Sequence, residues 1–345
     1  MEEFTPKNIS LKWLFITVFS FVFIHQLNAQ GAGQALYFDG SNDYINLNDL
    51  SDDLAGGDFT MEAWVKAEDD NQGLFTINTS SGGNKLMAYR NKMWYNSSAP
   101  AYSSPIQDDA WHHFALVIDA NSFIKVYIDG VQVENKSISF SLSSNDRISF
   151  GQEWDGSSAS QHLKGGVDEI RIWSDVRTQQ EIRDNMCLKL AGNESDLLTY
   201  YRCDEESSSS LTDVTSTQDA TLVGSPAFMI SSAPIGNAVD YSYAVSTSTS
   251  LNLAHGNGDD LTAEVSAITS ASSLFLYRID MAPNFIYVAS GLEQVSNEGY
   301  WGVWSPDGAD LDVNVVYDHS GHPNTSTPAN LELCYRQDAG QKQWL

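Results

Sequence analysis

Basic residues are scarce in this sequence. Its 345 residues include 18 Lys and Arg against 45 Asp and Glu, which gives a formal net charge of −27. Such a surface repels the phosphates of nucleic acids and the anionic headgroups of membranes, so neither is an expected partner. Dense carboxylates suit divalent cations that prefer oxygen ligands, above all calcium.

Long apolar runs are also missing. The run from Trp13 to Ile24 is shorter than the roughly 20 residues that a membrane-spanning helix needs. It follows Lys7 and Lys12, and it precedes Leu27-Asn28-Ala29, a small-residue cleavage site. This order is typical of a secretory signal peptide. We therefore predict that residues 1–29 are removed and that the protein is secreted or displayed at the cell surface.

Cysteine is rare as well, with three in the whole chain. Cys187 follows a predicted helix and Cys203 lies in the next apolar strand, while Cys334 has no obvious partner. Because an exported protein meets oxidising conditions, we predict a Cys187–Cys203 disulfide. The alternative is that all three are small buried thiols.

Motifs for catalysis are absent. Glycoside hydrolysis needs two carboxylates about 5 to 9.5 Å apart, and the sequence has no Glu-x-Asp-x-x-Glu run. Asp168 and Glu169 are adjacent, as are His112 and His113, so strand alternation is expected to turn the members of each pair to opposite faces. No G-x-S-x-G segment occurs. We therefore expect a protein that is not an enzyme.

What the sequence does contain is short alternating strands separated by Gly, Asn, Asp and Ser. This pattern predicts an all-β, antiparallel sandwich. Asp129-Gly130 predicts a tight hairpin turn. Residues 30–231 form the first predicted domain, residues 232–236 (SAPIG) a linker, and residues 237–345 a second all-β module whose natural sequence is expected to extend further.

The central stretch of the first domain is Gly151 to Met186. It begins with an acidic loop, GQEWD, and continues with an alternating strand that ends at Trp173. Thr178 with Glu181 three residues later predicts a helix that opens with a capping box.

Three segments together resemble the laminin-G-like jelly rolls of the concanavalin A-like lectin and glucanase superfamily. GGVDEIRIWSDVRTQQEI is similar to their terminal strand and helix, Ala35 to Leu47 to their first hairpin, and Ala110 to Gly130 to their central strand pair. The resemblance covers roughly Ala35 to Ser231. It implies a jelly-roll fold.

The GQEWD loop resembles the loop that holds calcium in the pentraxin branch. The resemblance implies that Glu153 and Asp155 are ligands, together with the backbone carbonyl of Trp154. Matching backward from Trp173 adds Gln161, and Asn84 is a looser match on a neighbouring strand. Because strand side chains alternate, Glu153 and Asp155 are expected on the same side of the loop.

A second calcium is implied near the terminal strand, where many jelly rolls of this group bind a structural ion. Asp39 and Asp168 are the candidate ligands. Asp39 also precedes Gly40, where an Asp can bond its own backbone in a turn.

Aromatic residues supply candidate contacts for a sugar ring. Trp94, Tyr95 and Tyr102 lie in KMWYNSSAPAYSS, with Asn91 and Asn96 beside them, and Trp154 lies inside the acidic loop. Each could equally be a core residue. By family position Trp64, Trp111 and Trp173 are expected to be structural, and Trp301 and Trp304 to face opposite sides of one strand.

The sequence therefore predicts calcium-assisted, non-catalytic recognition of a glycan or an extracellular protein ligand. Two alternatives remain open. One is a structural, adhesive module of a larger surface protein, and the other is an accessory domain of a polysaccharide-degrading enzyme.

Overall fold

The structure is a computed structural model of the whole chain. It describes residues 33–95, 98–256, 258–270, 273–283, 299–306, 311–319 and 334–336, and the backbone of short strands at 9–10, 13–17, 287–288 and 343–344. The chain divides into two compact units: one holds residues 33–186 and 190–229, and the other holds residues 1–32, 187–189 and 230–345. Within the described residues, no helix is both long and apolar enough to cross a membrane.

Strands dominate both units. Two lie near the N-terminus, β1 (Ile9–Ser10) and β2 (Trp13–Thr17). The first unit contains β3 (Gln34–Asp39), β4 (Tyr44–Asn46), β5 (Phe59–Ala67), β6 (Phe75–Asn78), β7 (Asn84–Ala88), β8 (Met93–Tyr95), β9 (His112–Asp119), β10 (Phe123–Ile128), β11 (Val131–Lys136), β12 (Arg147–Phe150), β13 (Glu153–Asp155), β14 (Ser158–Ser160), β15 (Lys164–Trp173), β16 (Leu197–Tyr201), β17 (Ser210–Leu211), β18 (Ala220–Val223) and β19 (Ala227–Ile230). Its helices are α1 (Ser51–Leu54) and α2 (Gln179–Asn185).

Two antiparallel sheets form the first unit. One has the order β11-β10-β9-β5-β15-β3-β19, with β16 also paired to β15, and the other has the order β17-β18-β4-β12-β6-β7-β8. The serine-rich segment after Cys203 supplies β18 and β19 to the two sheets. The predicted antiparallel jelly-roll sandwich is confirmed.

Strand alternation builds the core between the sheets. On β5, Phe59, Met61, Ala63 and Val65 belong to the core cluster. The residues between them, such as Glu62, therefore point to the outer face of the eight-stranded sheet. That outer face is covered, because Ile182 of α2 packs with Ala115, Val117 and Tyr127 of the sheet. Only the other sheet has an outer face without this helix.

Local sequence explains both the helix and the central hairpin. The Thr178 hydroxyl accepts from Glu181 N, and the Glu181 carboxylate accepts from Thr178 N, which confirms the capping box. Between β10 and β11, Asp129 and Gly130 both have positive φ, 50° and 69°, as the predicted two-residue hairpin turn requires.

The sheet also satisfies the last carbonyl groups of α2, which have no partner inside the helix. Arg171 Nη1 donates to Asn185 O at 2.8 Å, and Trp64 Nε1 donates to Met186 O at 2.6 Å. Trp64, Trp111 and Trp173 are all buried, which confirms their predicted structural role.

A β-bulge overturns the expectation for Asp168 and Glu169. The register of β15 against β5 shifts between Asp168 and Arg171, and Glu169 has a φ of 52°. Asp168 lies opposite Trp64 on the outer face, and the Glu169 carboxylate reaches Arg171 on that same face at 2.7 Å. The extra residue breaks the alternation, so the two acids are not on opposite faces. Both are buried.

The second unit is also all-β, as predicted. Its strands are β20 (Ala238–Ser242), β21 (Ser250–Ala254), β22 (Asp260–Ile268), β23 (Leu274–Ile279), β24 (Tyr287–Val288), β25 (Tyr300–Trp304), β26 (Leu311–Asp318), β27 (Cys334–Arg336) and β28 (Gln343–Trp344). The sheet orders are β1-β26-β22-β21 and β20-β23-β25-β2-β27, and β24 pairs with β28. Trp301 packs on Tyr317 and Trp304 on Phe275, consistent with opposite faces of β25.

The segment predicted as a signal peptide, residues 1–29, lies outside the described residues except for the backbone of β1 and β2. β2 pairs with β25 and β27 in the second unit. Signal cleavage stays a prediction.

The predicted linker is not an exposed tether. Ala233 is fully buried and Ile235 is 2% exposed. Lys189 N donates to Gly236 O at 2.8 Å, and Gly236 N donates to Cys187 O at 2.9 Å. These bonds and the burial make the segment part of the second unit, which contains residues 187–189 and 230–345.

The predicted Cys187–Cys203 disulfide is not present. Cys203 carries an unbonded thiol and packs in the core of the first unit, whereas Cys187 belongs to the second unit. Burial raises the pKa of Cys203 well above its ordinary value, and the charges of Asp168 and Glu205 raise it further. The thiol is therefore protonated and is a poor nucleophile.

Candidate calcium and ligand site

The acidic loop forms a hairpin on the sheet that α2 leaves uncovered. Glu153 pairs with Ser160 and Asp155 with Ser158. The turn of the hairpin is anchored by Gly156 N, which donates to Gly82 O at 3.1 Å. A Cβ at Gly82 would lie 1.8 Å from Gly156 O, so this close approach requires glycine.

The two acids lie on the same side of the hairpin, as predicted. Ser160 Oγ is 2.9 Å from Asp155 Oδ2 and 3.4 Å from Glu153 Oε1, so one hydroxyl is within reach of both carboxylates. Glu153 is buried and Asp155 is exposed. We call Glu153 and Asp155 the acid pair.

Gln161 joins the acid pair through Tyr89. The Tyr89 hydroxyl donates to Glu153 Oε2 at 3.1 Å, and the Gln161 side chain is near enough to this hydroxyl to lower its pKa slightly, against the larger effects of burial and Glu153. Gln161 has a φ of 50°, a left-handed backbone that redirects the chain as it leaves the hairpin.

The remaining two predicted ligands meet at the amide of Asn78. Asn78 Nδ2 donates to Asn84 Oδ1 at 2.9 Å and to Trp154 O at 3.1 Å. Asn78 Oδ1 also accepts from Trp154 N at 3.4 Å. The fully buried Asn78 side chain thus binds the backbone of the hairpin as a neighbouring strand would.

The electrostatics of the hairpin favour a bound cation. Burial raises the pKa of Glu153 and the charge of Asp155 raises it further, against the hydrogen bonds from Tyr89 and Ser160. Burial and the Glu153 charge also raise the pKa of Tyr89. Within the described part of the chain, neither acid forms an ion pair with Lys, Arg or His. The acid pair therefore lacks a positive partner.

The donor set matches the preference of calcium for oxygen ligands. It contains two carboxylates, two amide oxygens and one carbonyl, and calcium takes 6 to 8 oxygens when waters are included. Groups of three or more His, Cys, Asp or Glu with metal-binding geometry do not occur among the residues that the structure describes.

The second predicted site, Asp39 with Asp168, is wrong. Asp39 pairs with Lys164 and Leu36 with Val167, so Asp168 lies four residues along the strand from Asp39, about 13 Å away. Asp39 Oδ1 instead accepts from Ser41 N at 2.8 Å, which is the turn role that Asp39-Gly40 also predicted.

Among the candidate sugar contacts, Tyr95 and Tyr102 are corrected to core residues. They are 9% and 4% exposed and pack in the main cluster. Trp94 alternates with Met93 and Tyr95 on β8, so its half-buried ring faces outward. Its neighbour Asn96 lies outside the described residues. Trp94 shares the outer face with Met87, its partner on β7.

Two side chains pack against the Trp154 ring. The Arg147 guanidinium carbon lies 4.5 Å from its ring centroid, and the Tyr44 ring packs against it edge-on, with centroids 6.0 Å apart. These contacts occupy part of the ring, and the stacking of a sugar on Trp154 stays a prediction.

Tyr89, Asn78 and Ser160 were not identified from the sequence. Asn78 lies on β6 and Tyr89 directly follows β7, and the pairing of these two strands brings both residues to the hairpin. Ser160 lies on β14, within the hairpin itself. A tyrosine or asparagine within an alternating strand carries no local mark of this role.

Residues 39–183 match the family model described as the concanavalin A-like lectin/glucanases superfamily. Similar solved structures include a Bacteroides ovatus protein assigned to carbohydrate binding, at 15% identity and a TM-score of 0.47 over 61% of this chain and 63% of that one. The chain thus spans less than two thirds of that protein. The search of curated proteins finds no match.

Two further similar structures are smaller. The SAP-like pentraxin of Limulus polyphemus matches at 14% identity and a TM-score of 0.32, over 51% of this chain and 82% of that one. The CBM40 of the Ruminococcus gnavus IT-sialidase, bound to α2,3-sialyllactose, matches at 13% identity and a TM-score of 0.36, over 44% and 97%.

Proposed function

We propose that this protein is a secreted or surface-displayed, non-catalytic lectin-like protein whose jelly roll uses calcium to recognise a glycan. One observation carries the proposal. One hairpin holds the acid pair and Trp154 O, which accept from Ser160, Tyr89 and Asn78. Asn78 also donates to Asn84 Oδ1, and Gln161 directly follows the hairpin.

Calcium would be held by the acid pair, with Gln161, Trp154 O and Asn84 as further oxygen donors. When bound, the ion supplies positive charge that relieves the repulsion between the two carboxylates and can accept ligand oxygens. Calcium competes with protons for Glu153, whose pKa is raised, so calcium affinity falls as the pH is lowered.

A glycan suits the rest of this outer face. The half-buried Trp94 ring lies on the same face as Tyr89, which contacts the acid pair, and sugar rings pack on such aromatic surfaces. The family matched by residues 39–183 includes lectins.

Hydrolysis is not part of the proposal. The acids on the eight-stranded sheet, Glu62, Asp168 and Glu169, are each less than 5% exposed. Glu62 also accepts from Trp173 Nε1 at 3.0 Å. Buried and hydrogen-bonded in this way, these carboxylates cannot flank a substrate.

A calcium-dependent melting temperature is the first expected result. At one hundred times its dissociation constant, calcium should add about 2.7 kcal/mol to the free energy of unfolding. Glu153→Gln with Asp155→Asn keeps side-chain size and removes the charges, so the calcium effect on melting should vanish. Asp39→Asn, a matched control, should keep it. Equal wild-type melting in EDTA and in millimolar calcium would refute the calcium part of the proposal.

A glycan array tests the ligand part. The whole protein should bind defined glycans in millimolar calcium and lose them in EDTA. Trp94→Ala should weaken binding about tenfold, because the sugar ring loses an aromatic packing surface worth roughly 1 to 1.5 kcal/mol. Phe123→Ala, a half-buried aromatic on the other sheet, is the control. A blank array in both conditions counts against glycan recognition.

A further inference from the structure

We propose that Arg147 forms an anion-binding subsite beside the hairpin, so that the preferred ligand is an acidic saccharide. This inference rests on the proposed function and adds a charge requirement to it. It concerns three residues: Tyr44, Arg147 and Trp154.

The position of the guanidinium is fixed by the hairpin. Arg147 lies at the start of β12, and its guanidinium carbon sits 4.5 Å from the Trp154 ring centroid. Trp154 is held in place from two sides. Its backbone N–H and backbone carbonyl both form hydrogen bonds with the buried Asn78 side chain, and its ring packs against Tyr44. A guanidinium group on an aromatic face keeps the N–H donors at its edges available for hydrogen bonds.

The hydrogen-bonding capacity of Arg147 is largely unused. Its guanidinium carries five N–H donors, and Nη1 reaches Gly156 O at a long 3.5 Å. No carboxylate of the described residues lies within ion-pair distance of it, although Arg90, Arg171 and Arg278 each have an acidic partner. A cation without an ion-pair partner among the described residues, in a chain of charge −27, is available to an external anion.

Tyr44 supplies a second donor at the same place. Its ring and the Arg147 guanidinium both pack on Trp154, 6.0 Å and 4.5 Å from the centroid of the Trp154 ring. Burial raises the pKa of the Tyr44 hydroxyl, and the positive charge of Arg147 lowers it. The neutral hydroxyl is a donor. Tyr44 and Arg147 together match a carboxylate or sulfate group, which accepts several bonds at once.

The ligand class follows from this chemistry. A glycan that packs on the outer face and carries a uronate carboxylate or a sulfate ester could place that group on Arg147. Trp154 then acts as the support for Arg147.

Calorimetry with matched saccharides tests this inference on the whole protein in calcium. The probes are galacturonate oligomers, the same oligomers as methyl esters, and neutral and sulfated galactan oligomers. The acidic members should bind at least about tenfold tighter, and that preference should shrink as salt screens the charge. Binding of the carboxylate but not the sulfate, or the reverse, identifies the anion.

Variants separate charge from folding. Arg147→Gln should remove the preference for acidic oligomers and leave the affinity for neutral ones unchanged, and Arg147→Lys should retain part of it. Lys125→Gln removes a cation that stacks on Phe123 at 4.1 Å on the other sheet and should change nothing. Equal affinity for esters and acids, or an unchanged preference in Arg147→Gln, overturns the inference while leaving glycan recognition intact. Absence of binding to every saccharide overturns both.

Discussion

Arg171→Met is expected to cost about 3 to 5 kcal/mol of the free energy of unfolding, the usual effect of removing one partner from a buried ionic network. Arg171 is 1% exposed. Its Nη2 lies 2.7 Å from Glu169 Oε2 and its Nη1 lies 3.7 Å from Glu62 Oε1. Methionine fills a similar volume, so two buried carboxylates would lose their counter-charge and Asn185 O would lose its donor.

Urea denaturation at pH 7 measures this effect. Lys125→Met, which removes a partly buried charge that has no carboxylate partner among the described residues, should cost no more than about 1 kcal/mol. The double variant Arg171→Met with Glu169→Gln should recover part of the loss, because one uncompensated charge is gone. A loss below about 1 kcal/mol, or a double variant no more stable than the single one, would show that the network does not stabilise the contact between α2 and the sheet.

His112 is expected to make stability fall as the pH rises above neutrality. Its Nδ1 lies 2.6 Å from Asp129 Oδ2 and its Nε2 lies 2.9 Å from Asp108 Oδ1. Burial disfavours the charged ring, but the two carboxylates outweigh burial and raise the pKa of His112 to about 10. In the unfolded chain the pKa is about 6.5.

The direction of this change in stability with pH follows from the linkage between proton binding and folding. Because the folded pKa is the higher one, the stabilisation is complete below a pH of about 6.5 and is lost as the pH rises to about 10. Every tenfold gain in proton affinity on folding adds about 1.4 kcal/mol, so the loss amounts to several kcal/mol. In denaturation curves recorded across this pH range, His112→Gln should be less stable than the wild type at the acidic end and should converge on it at the alkaline end. Parallel curves for the two proteins would contradict this role.

Local sequence signals predicted much of the fold. The alternation of apolar residues in strands such as β5, the Asp129-Gly130 turn and the Thr178–Glu181 cap depend on residues close together in the chain. The bulge at Glu169 could not be predicted, because it depends on pairing with β5, a strand far away in the sequence. The predictions of a Cys187–Cys203 disulfide and of an exposed linker were wrong for the same reason, because both features depend on where distant segments pack.

The candidate site also has features that the sequence predicts and features that depend on distant pairing. The same-side placement of Glu153 and Asp155 follows from the strand period. Tyr95 and Tyr102 could not be separated from Trp94 by sequence alone, because an aromatic at either face of a sandwich strand has the same propensity. Pairing of β7 with β8 decides which ring faces outward. Asp39 and Asp168 were predicted to share a calcium site because of the family resemblance, and the strand register places them too far apart for one.

Calorimetric titration of calcium into the whole protein tests the central claim most directly. The wild type and Asp39→Asn should each bind calcium at the hairpin with the same affinity, and Glu153→Gln with Asp155→Asn should bind none there. Affinity should fall as the pH is lowered, since protonation of Glu153 competes with the ion. A wild type that binds no calcium at millimolar concentration, or a double variant that binds it as the wild type does, would contradict the account.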